Sequence, residues 1–251
     1  ALTPNPRLTP AGYRDAVASA GSFIDWLQAL IVTNQGSSTT TPQQRDDDLA
    51  ERRGPTLFVR VRFVSSPYDR CLQTTEAVAA GFAAFRNTEA DALEVVRVEV
   101  DPVVIVDHTF GEVNNPDKIG PRGPADLTSP FATASWLSRR EWGTAPAWGE
   151  SNQDAAARFD RGVAGAIHGA VATANERHRS AVPWAASSAM GRSVSRESVA
   201  PSCASDAVVV DLHWYVTHCD ALNEVVRRVL DAKLSSVDCL ATITLSLSPS
   251  D

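Results

Sequence analysis

The sequence predicts an α/β domain with a mostly parallel sheet and helices on both faces. Three features lead to this class. Short apolar runs such as TLFVRVRFV and AVVVDLHWY read as strands, and longer stretches with apolar residues every three or four positions read as helices. The strands are separated by long helices, the arrangement that covers a largely parallel sheet on both sides. The chain has 251 residues, 43% hydrophobic and 21% charged, enough for one large core. No internal repeat is present. Residues 1–251 therefore read as a single domain carrying polar insertions.

Taken in order, Thr9 and Pro10 start the first helix, a hydroxyl cap followed by a proline where no N–H partner is needed. Tyr13, Val17, Ala20, Ile24, Leu27 and Ile31 form its apolar stripe, which Gly12 and Gly21 weaken. Residues 34–55 are polar and read as an insertion or exposed loop. Residues 56–64 form a strand that runs into Ser65-Ser66-Pro67. The spacing of Leu72, Thr75, Ala79, Phe82 and Phe85 then predicts a helix over 69–85. A second strand covers 93–100, residues 104–108 extend it beyond Asp101-Pro102, and 109–120 read as loop. A second insertion, 121–148, is rich in Gly, Pro, Ser and Trp, with short helical pieces expected around 129–140.

Ser151 caps the next helix, which runs to about residue 175, and Asp154 supplies a variant of the capping box. Phe159, Val163, Ile167 and Val171 share one of its faces. A third polar insertion, 179–206, precedes the most hydrophobic strand, 207–215. Leu222, Val225, Val226 and Val229 predict a helix over 220–232, and ATITLSL at 241–247 predicts a last strand, at an edge.

Charge and composition narrow the function classes. A net charge of −7 argues against a broad basic face for nucleic acid, so direct nucleic-acid contact is not expected. Of the 23 basic residues only Lys118 and Lys233 are lysine. That bias reads as compositional, although a guanidinium suits bidentate contact with carboxylate or phosphate. Cys71, Cys203, Cys219 and Cys239 contain no CxxC pair, which speaks against a zinc knuckle or thioredoxin-type site and for free thiols. No metal or cofactor is expected, and no apolar run is long enough to span a membrane. His213 reads as a packing residue, His168 and His178 as surface residues, and Asp46 to Asp48 as a solvated face.

Several stretches carry chemistry in an ordered pattern. They are Leu8-Thr9-Pro10-Ala11-Gly12, Ser65-Ser66-Pro67-Tyr68-Asp69-Arg70-Cys71-Leu72-Gln73-Thr74, Phe110-Gly111-Glu112-Val113, Gly149-Glu150-Ser151 and Val216-Thr217-His218-Cys219-Asp220. In this order they resemble the histidine phosphatase superfamily, which includes the phosphoglycerate mutases. The resemblance implies a phosphoglycerate mutase-like fold. It also implies a phosphate-binding role for Arg70, a pocket role for His218 beside the transferred phosphoryl group, and Glu112 as proton donor. Two arginines and two histidines suit such a pocket because charge developing on a phosphoryl group needs donors in fixed places. An imidazole with one bare nitrogen is the nucleophile, and a carboxylic acid protonates the leaving oxygen.

The sequence departs from that pattern at its decisive point. The family's first strand ends in Arg-His-Gly ahead of the Leu-Thr helix, and no Arg-His-Gly occurs here. The histidines are His108, His168, His178, His213 and His218, of which only His218 stands in a family-like setting. No nucleophile is therefore assigned. Cys219 replaces the glycine usual after the late histidine. Removing the first strand would leave backbone groups without partners inside a hydrophobic layer. Three arrangements answer this: a segment ahead of Ala1, a strand from elsewhere in this chain or from a partner, or a sheet closed in a new order. The leading expectation is a pseudoenzyme, a structural or protein-binding component of a larger assembly with protein partners, in an organelle such as the mitochondrion. The alternative is a phosphomonoesterase acting on a phosphate ester through a phosphohistidine supplied by a further segment.

Overall fold

The computed structural model describes residues 7–35, 57–85, 96–119, 134–179 and 208–230. In chain order these form α1 (Pro10–Gln35), β1 (Leu57–Ser65), α2 (Asp69–Phe85), β2 (Val96–Val100) and β3 (Val103–Asp107). A 3-10 turn at His108–Phe110 and the single turn α3 (Pro116–Ile119) follow, then β4 (Ser138–Trp142), α4 (Asn152–Arg179), β5 (Val208–Val216) and α5 (Cys219–Leu230). Both helix starts read from the sequence have their caps. Thr9 Oγ1 accepts from Gly12 N at 3.1 Å, and Ser151 Oγ accepts from Asp154 N at 3.1 Å while donating to Asp154 Oδ2.

Every strand pairing among the described residues is parallel. β1 is the central strand. Along one edge it pairs with β5 over its full length, Leu57 opposite Val208 through Ser65 opposite Val216. Its other edge is shared by two strands, β2 along Leu57–Val61 and β3 at Val64 and Ser65. The switch falls at Asp101-Pro102. Asp101 N still donates to Val61 O, but Pro102 has no N–H to continue the ladder. Asp101 Oδ1 then accepts from Val103 N, which restarts the strand. β4 pairs with β3 from Val103 opposite Ser138 to Asp107 opposite Trp142. The strand order is thus β5, β1, the β2/β3 pair, β4.

Alternation along β1 sends its side chains to two cores. Val59, Val61 and Phe63 join Ala16, Ala20, Ile24, Ala77, Val78 and Phe82 under α1 and α2. Val64 joins Phe110, Val113, Ala155, Phe159, Val163 and Ala221 under α4 and α5. The sheet is therefore flanked by helices on both faces. Phe82 and Phe23 meet Trp214 of β5 edge-on, with centroids 5.4 and 5.3 Å apart. Such aromatic pairs add about 0.5–1.5 kcal/mol each beyond their buried area. No helix among the described residues is long and apolar enough to cross a membrane.

The elements differ from the sequence expectation in three places. Ser138–Trp142 is a strand, where helical pieces were expected within an insertion spanning 121–148. Its exposed, charged Ser-Arg-Arg-Glu-Trp sequence lacks an apolar run because it lies at the edge of the sheet. The stretch 109–120 holds two short helical turns, one capped by Asp107, whose side chain accepts from Thr109 N. Helix α4 continues to Arg179. The expected strand at 241–247, most of the insertions at 34–55 and 179–206, Asp46 to Asp48, Cys203 and Cys239 lie outside the described residues.

Candidate functional site

The C-terminal ends of β1, β3 and β5 lie side by side, the usual place for a site in an open parallel sheet. Each delivers part of one cluster. β1 ends in Ser65 and Ser66. Ser66 N donates to Val216 O at 2.9 Å, so the strand stays zipped to β5 up to the turn. Pro67 stops the ladder, and Arg70 stands in the first turn of α2. β5 runs through Thr217, whose hydroxyl donates to Phe110 O, into His218, whose carbonyl accepts from Leu222 N at the start of α5. Past the end of β3, the 3-10 turn leads to Glu112.

Arg70, Glu112 and His218, the three site residues expected from the sequence, converge. Arg70 Nη2 lies 3.1 Å from Glu112 Oε2 and 2.9 Å from His218 Nδ1. Glu112 Oε2 is 3.2 Å from the same ring nitrogen. Ser66 Oγ lies 2.9 Å and Cys71 Sγ 3.7 Å from the other one, Nε2. Tyr68 meets the imidazole edge-on with centroids 5.0 Å apart, and the Arg70 guanidinium lies over the Tyr68 ring.

Arg70 Nη2 can only donate and so favours a lone pair on His218 Nδ1, whereas Glu112 Oε2 beside the same nitrogen favours a hydrogen there. His218 Nε2 and Ser66 Oγ share one hydrogen bond. Burial, reinforced by Arg70 and Arg158, pushes the His218 imidazolium down to about 3, so the ring is neutral. The close approach of His218 to Glu112 is therefore not an ion pair. Arg70 Nη2 lies within hydrogen-bond reach of both. Burial and then Asp220 raise the Glu112 carboxyl above its ordinary value, with Arg70 opposing. Burial also pushes the Cys71 thiol and the Tyr68 phenol up to about 12. Lys118 Nζ pairs with Asp220 Oδ2 at 2.9 Å beside the cluster.

Ser66, His218 and Glu112 have the spacing of an acyl-transfer triad. Ser66 is fully buried, however, and Arg70 shares the ring nitrogen that the carboxylate would orient, so the serine cannot reach a substrate. The other described histidines stand elsewhere. His108 Nε2 pairs with Glu141 at 3.0 Å, His168 is exposed on α4, and His213 is half-buried within β5. Among the described residues no group of three or more His, Cys, Asp or Glu is placed to hold a metal ion.

Ser66, Tyr68 and Cys71 belong to the motif that marked Arg70, but nothing in the sequence shows that they surround the imidazole. The larger omission is Arg158. It is 8% exposed and grips Glu150 with two bonds of 2.8 and 2.7 Å. The sequence held a signal for it, since Arg158 follows Ser151 by two helical turns and so faces back toward Glu150.

No family model, curated protein or solved structure matches this chain.

Proposed function

We propose that this chain is a histidine-phosphatase-like domain that binds a phosphate-type oxyanion without turning it over, and that it serves as a binding or structural component of an assembly. The observation that carries this reading is the engagement of both nitrogens of His218, Nδ1 with Arg70 and Nε2 with Ser66. A phosphoryl-accepting imidazole needs a bare, reachable nitrogen. His218 offers none, and its side chain is 4% exposed. Arg70 is better placed for binding. Its side chain is one-third exposed, and it already holds a carboxylate where an oxyanion would sit. Two helices, α2 and α5, begin at the same place, and their N-terminal dipoles favour a negative ligand.

The test is calorimetric titration of the 251-residue chain with orthovanadate, alongside hydrolysis of p-nitrophenyl phosphate. Vanadate binding is expected, with no hydrolysis above that of a His218→Ala variant. Charge-assisted hydrogen bonds contribute about 1.5–3 kcal/mol, so Arg70→Ala should weaken binding roughly 10- to 100-fold. Vanadate binding that ignores Arg70, or hydrolysis that depends on His218, would overturn the reading.

One observation favours a second reading, a phosphomonoesterase completed by another segment. β5 ends at Val216, just before His218, and carries Val210, Leu212 and Trp214 into the core, so the pocket histidine is held at the end of a rigid strand. A further segment that placed a second imidazole opposite Arg70 and His218 would complete the pocket. Mixing the chain with a candidate segment and recovering phosphatase activity would decide for this reading.

A further inference from the structure

Glu112 sits on an irregular segment, so something must hold it at Arg70. The 3-10 turn before it is short, and its last carbonyls point away from the sheet ladder. They are collected by Arg158. Arg158 Nη1 donates to Thr109 O at 2.6 Å, to Gly111 O at 3.0 Å and to His108 O at 3.4 Å. Nη2 donates to Glu112 O at 3.3 Å. The remaining edge of the guanidinium forms the two-bond fork with Glu150, whose side chain is 7% exposed. Glu150 closes the far side of the same segment, because Oε2 accepts from Asn114 N and its carbonyl accepts from Asn115 Nδ2. Asn114 O in turn accepts from Gly149 N and Glu150 N.

The carbonyls from His108 to Glu112 are thus gathered around one buried ion pair, while Phe110 and Val113 of the same segment pack into the second core. We infer that Arg158 and Glu150 are positioning residues that set the Glu112 carboxylate against Arg70 and His218. Only a planar five-donor group can serve four carbonyls and a carboxylate at once, so lysine cannot replace Arg158. A buried pair of this kind adds little net stability compared with an apolar filling, whereas it fixes geometry by direction. The inference deepens the oxyanion reading, because it names what keeps Glu112 in place as the ligand's competitor for Arg70.

The groups that face Glu112 are Tyr68 ahead of α2, Arg70 and Cys71 from α2, His218, Cys219 and Asp220 from the β5–α5 junction, and Lys118 from α3. Its titration therefore reports its distance from all of them. The experiment is NMR of the full chain labelled at glutamate side-chain carbons, with the Glu112 signal assigned by its loss in Glu112→Gln. The variants are Arg158→Lys and Glu150→Gln, the second preserving shape if the first folds poorly. In the native chain Glu112 should titrate above an ordinary glutamate, and in both variants its midpoint should fall back toward the ordinary value. Thermal unfolding of the same samples gives the structural effect separately. Lower stability with an unchanged Glu112 midpoint would overturn the inference, and so would failure of both variants to fold, which would make the pair a determinant of the fold and not of the site. This readout needs no ligand. Failure of vanadate to bind would therefore count against the oxyanion reading while the positioning result stood by itself.

Discussion

The contact between α1 and α2 is close enough for one methyl group to test it. A Cβ built on Gly81 of α2 would lie 2.3 Å from the Val17 carbonyl oxygen and 2.8 Å from Ala20 Cβ. The nearest obstacle is backbone, so no side chain can rotate out of the way. Gly81→Ala must push α1 outward from a core that includes Ile24 and Phe82. Overpacking of this kind costs about 1–3 kcal/mol. Removing a glycine from a helix returns about 1 kcal/mol at most, so the net effect is destabilising. Gly21 provides the control. It lies in the facing helix, and a Cβ there meets nothing within 4 Å. Gly21→Ala should therefore stabilise the protein by about 0.5–1 kcal/mol through helix propensity alone. Urea unfolding followed by circular dichroism should separate the two variants by about 0.5–3 kcal/mol, with similar denaturant slopes. If Gly81→Ala matched or exceeded the native protein in stability, the helices would not approach as described, and the packing of that face of the sheet would have to be redrawn.

Two other outcomes follow from the site. His218 is held at about 3 while its ordinary value is 6.5, so the unfolded chain takes up a proton that the folded chain refuses. Stability present above the ordinary value is lost as pH falls toward the folded one, by up to about 4–5 kcal/mol. Glu112, raised by burial, acts with the opposite sign and favours the folded form as pH falls. His218→Asn should flatten the acid-side loss measured by urea unfolding at a series of pH values, and an unchanged slope would contradict neutral burial of the ring. For the thiols, a folded chain with Cys203 and Cys239 replaced by serine should react with a disulfide reagent at exposed Cys219 alone, at a rate held down because burial, Asp220 and Glu112 raise that thiol above its ordinary value. Buried Cys71, pushed up to about 12, should react only on unfolding, and rapid loss of both thiols would refute its burial.

The sequence revealed most where period and punctuation agree. The Thr9-Pro10 cap, the run into Ser65-Ser66-Pro67 and the apolar spacing of α2 and α4 are local signals, and the folded chain uses them locally. Arg70, Glu112 and His218 were nominated by motif, and they meet because three parallel strands end at one level. β4 was illegible for a physical reason. An edge strand rich in arginine and glutamate buries too little for its alternation to stand out. The Arg158–Glu150 pair was hidden because a buried arginine serving backbone carbonyls needs no partner pattern in the sequence beyond a single helical spacing. The neutrality of His218 was equally hidden, since it depends on which groups stand around the ring and not on which residues flank it in the chain.

The register that sets Leu57 against Val208 has a kinetic consequence. The chain must be synthesised through Val216 before β1 acquires its full neighbour on that edge. Pairings this distant in sequence form late, because loop closure must be achieved before contacts reward it. At ribosomal speeds of about 5–20 residues per second, the stretch between the end of β4 and the end of β5 takes on the order of ten seconds to emerge. For that interval a nascent sheet can hold Arg70 and Glu112 but not the imidazole between them and Ser66. Of the groups in the cluster His218 is then the last to arrive, and the withdrawal of its ring from solvent marks the closing of the site.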